Sequence, residues 1–143
     1  MMWLRKSKKG FTLIELMVVV AIIGVLALLG LRLYTGQQAK AKEAIVKANA
    51  GTVQTLIQSE LADGPVDHTE AVSVAAAAGL RNPFAGTPME ADDFLVEHNT
   101  PAVTDTNREG DIHINVIESG VHFEVQGYGL GGIPIPEILT ARR

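Results

Sequence analysis

Between Leu16 and Leu31 the chain carries sixteen consecutive residues without a polar side chain, LMVVVAIIGVLALLGL. Counted from Phe11 the apolar segment holds 21 residues, which as a helix reach ~31 Å, about the thickness of one hydrocarbon core. A chain of 143 residues has little interior with which to wrap such a helix on every side. The segment therefore predicts a membrane span. A cleaved secretory signal has an apolar centre of only ~7–15 residues and ends at a small-residue cleavage site. Here the run is longer and continues into Gly30-Leu31-Arg32-Leu33-Tyr34, so the span is expected to be retained. Arg5, Lys6, Lys8 and Lys9 precede it, and Arg32, Lys40 and Lys42 follow it. That balance places the N-terminus in the cytoplasm, and the long domain that follows is translocated.

Glu15 is the one charge in this segment. An ionisable group at membrane depth costs up to ~2.5–3.5 kcal/mol on insertion scales. It is either hydrated at headgroup level or paired with a positive group on a neighbouring copy, and a free α-amino group at a newly made N-terminus would be such a partner. Charge elsewhere is skewed: four of the twelve basic residues lie in the first nine positions, while fifteen of the sixteen acidic residues come after position 42. Without its first ten residues the chain would hold eight basic against sixteen acidic groups, which argues against nucleic acid as a partner. There is no cysteine, so thiolate zinc sites, thiol nucleophiles and disulfides are excluded together.

The run Lys8-Lys9-Gly10-Phe11-Thr12-Leu13-Ile14-Glu15-Leu16, a short basic leader, then Gly-Phe, then Glu four residues after the Phe ahead of an apolar helix, resembles the class III signal of type IV pilins and type II secretion pseudopilins. The resemblance covers about the first 30 residues. It implies that a prepilin peptidase cuts after Gly10 on the cytoplasmic side, that Phe11 becomes an N-methylated N-terminus, and that Glu15 pairs with the Phe11 amine of an adjacent subunit during assembly. Many members of the family carry a helix-breaking Pro where this chain has Arg32. Gly24 and Gly30 are the weak points of the span, each costing about 1 kcal/mol relative to Ala in a helix interior, and they bound the segment where the family's helix melts in filaments.

Beyond the span, Ala41, Ile45, Ala48, Val53, Leu56, Ile57 and Leu61 recur at helical spacing, with Lys40, Lys42, Glu43, Lys47, Gln54 and Gln58 on other faces, so the second half of the helix is amphipathic. Asp63-Gly64-Pro65 ends it, giving one helix of 52 residues from Phe11 to about Ala62. Asp67 with Glu70 caps a short Ala-rich helix, Thr69 to Ala78, and Gly79 closes it. Leu80 to Met89 is turn-forming throughout. Ile112, Ile114 and Val116, then Val121, Phe123 and Val125, alternate with polar residues as a hairpin. The expected pairing sets Val116 opposite Val121, Ile114 opposite Phe123 and Ile112 opposite Val125, with Ile117 to Gly120 as the turn and His113 facing Glu124 on the outer side. A third strand is expected within Asp93 to Glu97 or Pro101 to Thr104. The expected fold is α+β and pilin-like: a long N-terminal helix, membrane-spanning in its first half and amphipathic in its second, packed on a small antiparallel sheet. Its parts are a cleaved leader at 1–10, a transmembrane and filament-core helix half at 11–32, and a head at 33–143.

Enzymatic chemistry finds no support. His68, His98, His113 and His122 lack helical metal spacing and read as solvated surface residues. No serine lies in a G-x-S-x-G setting, and Pro134 and Pro136 stand where a phosphate-binding glycine loop would need a helix. The expected protein has no catalytic residues and no cofactor. Calcium on the loop Asp105 to Asp111, held by Asp105, Glu109 and Asp111, is the one exception kept open, without an EF-hand spacing.

The leading expectation is a structural subunit of a type IV pilus-like filament, a helical homopolymer whose partners are prepilin peptidase, an assembly platform and the inner membrane, and whose destination is an extracellular or periplasmic filament. The alternatives are a pseudopilin of a type II secretion or DNA-uptake system, and a membrane-tethered extracytoplasmic binding or enzymatic domain. A mere tether has no use for Gly10-Phe11 or Glu15.

Overall fold

The computed structural model describes residues 10–98, 108–118 and 120–143. The chain divides into two compact units, Met1–Gln37 and Gln38–Arg143, and helix α1 (Leu13–Asp63) contributes to both.

In the first unit every described residue is exposed. α1 stays helical through Gly24 and Gly30. Leu16 to Leu31 are apolar on every side with no protein covering them, the pattern of a helix whose environment is lipid or other helices. Its length and composition suffice to cross a membrane.

In the second unit α1 buries Val46, Asn49, Ala50, Val53, Ile57 and Leu61. The expected stripe is thus right at Val53, Ile57 and Leu61, with Leu56 only partly covered, and is displaced by a residue or two before them: Ile45 is 48% exposed, and Ala41 and Ala48 face solvent. Ile45 and Val46 are both apolar and adjacent, so spacing alone does not choose between them; close packing by the sheet does. The helix ends at Asp63, where Gly64 N–H donates to the Glu60 carbonyl (3.2 Å). Helix α2 spans His68–Ala77, with Asp67 accepting the Glu70 N–H at 2.8 Å, one residue earlier than expected at each end. Ala71 and Ala75 lie in the same core as Val53, Ile57 and Leu61.

Among the described residues four strands form one sheet in the order β1 (Phe94–His98), β2 (Ile112–Glu118), β3 (His122–Tyr128), β4 (Pro134–Arg142). β2 and β3 pair antiparallel, as expected of the hairpin, and β4 pairs antiparallel with β3, but β1 runs parallel to β2. β1 matches the first of the two places suggested for a third strand; Pro101 to Thr104 lies outside the described residues. The inner face carries Phe94, Ile112, Ile114, Val116, Phe123, Val125 and Ala141, all buried in one cluster with α1. The hairpin register differs by two residues from the expected one: Val116 faces Phe123, Ile114 faces Val125 and Ile112 faces Gly127. A shift of two keeps every side chain on its face, so the inner set is right while the opposing partners are not. The difference arises because β2 runs on through Ile117 and Glu118, which were expected in the turn; a one-residue irregularity then sets Glu118 opposite His122, and the turn closes through Val121 N–H to the Glu118 carbonyl (3.1 Å) with Gly120 at φ 81°. β4 has no counterpart in the sequence reading.

A buried amide ties the loops below the sheet together. The Asn82 Nδ2 donates to the Glu109 carbonyl (2.8 Å), and its Oδ1 accepts the N–H groups of Phe84 (2.9 Å) and Ala85 (3.2 Å). The Asn-Pro turn is therefore a brace as well as a connection. It requires glycine opposite: Gly110 has φ 91°, and a Cβ there would overlap the Asn82 side chain.

Candidate functional site

The candidate site at the N-terminus is built by the first turn of α1. The Thr12 N–H donates to Glu15 Oε2 at 2.9 Å, the Thr12 hydroxyl donates to the same oxygen at 2.7 Å, and the Glu15 N–H donates back to Thr12 Oγ1 at 3.3 Å. This is a capping box, in which two otherwise orphaned N–H groups at the helix start are satisfied reciprocally. The signal was present as Thr12-x-x-Glu15, yet Glu15 drew attention only as a misplaced charge. The carboxylate thus has a local role as well as any role between copies. Both bonds it accepts fall on Oε2, and among the described residues Oε1 receives none. The adjacent Phe11 is 80% exposed, and Gly10 precedes it outside the helix. Gly10, Phe11 and Glu15 therefore lie together at the start of an uncovered apolar helix. The positive end of the helix dipole favours a carboxylate there.

The other candidates disperse. Asp105 lies outside the described residues. Glu109 Oε1 accepts the Gly131 N–H at 2.7 Å. The Asp111 carboxyl is pushed up to about 6 by loss of hydration in its half-buried site and by nearby Asp93, against the pull of Arg108. Among the described residues no group of three or more His, Asp or Glu side chains is placed to hold a metal. The histidine reading needs correction at His113, which is 4% exposed with its ring edge-on to Tyr128, centroids 6.2 Å apart. The two-residue register shift sets it opposite Gln126, and Asn115 rather than His113 faces Glu124. The expected His113–Glu124 pairing across the strands is therefore not formed. His122 accepts from Arg142 Nε at 3.2 Å, and His68 lies on the exposed start of α2.

The N-terminal arrangement, a glycine–phenylalanine junction before a capped apolar helix with a sheet-bearing head beyond it, defines a pilin-like class. Residues 5–31 match the prokaryotic N-terminal methylation motif. The chain is 49% identical over 60 residues to a fimbrial protein EcpB of Eikenella corrodens, covering 42% of this chain and 38% of that one. It is 43% identical over 61 residues to a type IV major fimbrial protein FimA of Dichelobacter nodosus, covering 43% and 39% respectively. Over 58 residues it is 40% identical to a type IV major alpha-pilin of Moraxella bovis, covering 41% and 36%. The aligned part thus spans under two fifths of the length of these relatives. No solved structure matches the chain. Over about 60 residues the chain is thus similar to fimbrial and type IV pilin proteins, and residues 5–31 carry the methylation motif.

Proposed function

We propose that the mature chain is a structural, non-enzymatic subunit of a type IV pilus-like filament, held in the inner membrane as a single-pass precursor and assembled into an extracellular or periplasmic homopolymer. The observation that carries the reading is the capped, uncovered apolar helix beginning at Gly10-Phe11. Cleavage after Gly10 by a prepilin peptidase would remove the leader's four basic residues, which resist extraction from the bilayer, and would leave a cation on Phe11. Methylation of that amine keeps its charge. The Thr12–Glu15 box survives such a cut, because the Thr12 N–H remains an amide. Glu15 could then hold its own helix start through Oε2 and offer Oε1 to the Phe11 amine of a neighbour, offsetting the cost of a lone carboxylate at membrane depth. Packing the spans together would bury their exposed apolar faces at ~25 cal/mol per Å² relative to water. The pilus reading is preferred to the pseudopilin one because the relatives named above are fimbrial proteins and an alpha-pilin.

No cofactor enters this proposal. Glu109 is committed to the Gly131 N–H, and calcium on Asp105, Glu109 and Asp111 would have to compete with that bond.

Two substitutions at Glu15 separate its roles. Gln at this position keeps the capping box, which accepts Glu or Gln, but removes the charge; Val removes both. If the charge pairs copies, Glu15→Gln and Glu15→Val both leave insertion intact and abolish filament yield. Normal yield from either protein contradicts the intersubunit pair.

A further inference from the structure

Among the described residues β4 is the last strand of the sheet, and one side of its backbone faces no other strand among them. An open edge of this kind is a template for pairing with another chain. In the antiparallel ladder with β3, alternate residues of β4 turn their N–H and C=O groups away from the sheet. The second half of that outer edge is nevertheless occupied. Gln58 Nε2 donates to the Arg142 carbonyl (2.6 Å), and the Arg142 N–H donates to Gln58 Oε1 (3.0 Å). One turn earlier on α1, Gln54 Nε2 donates to the Thr140 carbonyl (2.9 Å).

The match is geometric. Residues i and i+4 of a helix are ~6 Å apart along its axis, and residues i and i+2 of a strand are ~6.6 Å apart. Gln54 and Gln58 can therefore meet Thr140 and Arg142 with the same repeat that a neighbouring strand would use. Further back the same helix stripe brings Lys47 onto Glu137. The stripe runs one residue behind the core stripe of Val46, Ala50, Val53 and Ile57, so the face that packs the core fixes the register of the face that meets the edge. At the strand's start Pro134 and Pro136 have no N–H to give an incoming strand.

We propose that Gln54 and Gln58 are edge guards: their amides stand in for a fifth strand and keep the outer edge of β4 from pairing with the same edge of a second copy. Strand addition through the β4 edge is thereby closed, and copies do not meet edge to edge along that strand. The inference does not depend on which filament the chain serves.

The absence of cysteine permits a clean test in the full chain, purified in detergent micelles. Ile138, 53% exposed on β4, is replaced by Cys as a reporter, and a short bifunctional thiol reagent is added. With both glutamines present, dimer cross-linking stays at the level of a Cys placed at Thr69 on α2. In Gln54→Ala/Gln58→Ala it should rise at least several-fold with protein concentration, and in dilute samples the Arg142 amide should exchange its hydrogen faster. Gln54→Ala alone removes one surface bond and leaves the core stripe untouched, so it keeps the head folded if the double variant does not; it should give an intermediate rise. Gln54→Lys, which restores a donor to the Thr140 carbonyl, should return cross-linking to the parental level. Unchanged cross-linking in a folded Gln54→Ala or double variant overturns the proposal.

Discussion

A Cβ atom built on Gly127 would lie 2.5 Å from Val46 Cγ1 and 3.5 Å from the Val46 carbonyl. At this point β3 crosses α1 so closely that only a residue without a side chain fits. The contact explains why α1 buries Val46 rather than Ile45: the side chain that sits under Gly127 is the one the sheet covers.

Gly127→Ala should therefore destabilise the head by about 1–3 kcal/mol, the usual cost of forcing an extra carbon into a packed core. The β-branched Val46 side chain has few alternative rotamers with which to yield. Urea unfolding of a fragment beginning at Ala39, followed by circular dichroism, measures it. A companion Val46→Ala substitution should recover part of the loss, because it vacates the space.

Phe123 is fully buried and His122 is not. Truncating a core aromatic typically costs ~3–5 kcal/mol, a large share of the ~5–15 kcal/mol that holds a domain together. Phe123→Ala should unfold the same fragment or lower its midpoint strongly, whereas His122→Ala loses an exposed bond to Arg142 and should change it little. The reverse order would mean that the faces of β3 are exchanged.

What the sequence made legible follows from which physical signals are local. The stop at Asp63-Gly64-Pro65 and the Asp67 cap depend on neighbours in the chain, and both lie where they were expected. The inner face of the hairpin depends on a period of two, which a register shift of two preserves; the partner assignments depend on where the chain turns, and Ile117 and Glu118 continue β2 although Gly120 marks a turn equally well for either register. β4 was missed because Pro134 and Pro136 read as breakers and Ile135 to Arg142 does not alternate cleanly. An edge strand tolerates both features, since it needs bonds on one side only. Asn82 was read as a turn residue because its brace to Glu109 crosses 27 positions.

The Asp111 carboxyl, pushed up to about 6 from 3.8, gives the head a pH signature. A carboxyl whose folded pKa is raised holds its proton more tightly folded than unfolded, so between about pH 4 and 6 the folded state binds more protons and stability falls as pH rises. Above the folded value this contribution is flat and unfavourable. Asp111→Asn should remove that part of the slope and raise the melting midpoint at pH 7 to 8, while changing it little near pH 4. A variant less stable than the parent at pH 8 would show that the carboxylate is needed in its charged form.

A filament subunit of the proposed kind needs Gly10-Phe11 to be a processing junction ahead of the capped, uncovered helix. Mass spectrometry of the subunit taken from assembled filaments tests it most directly. The predicted result is a chain that begins at Phe11 and is heavier by one methyl group on its α-amine; a subunit that begins at Met1 or Met2, or an unmodified amine on Phe11, would contradict it.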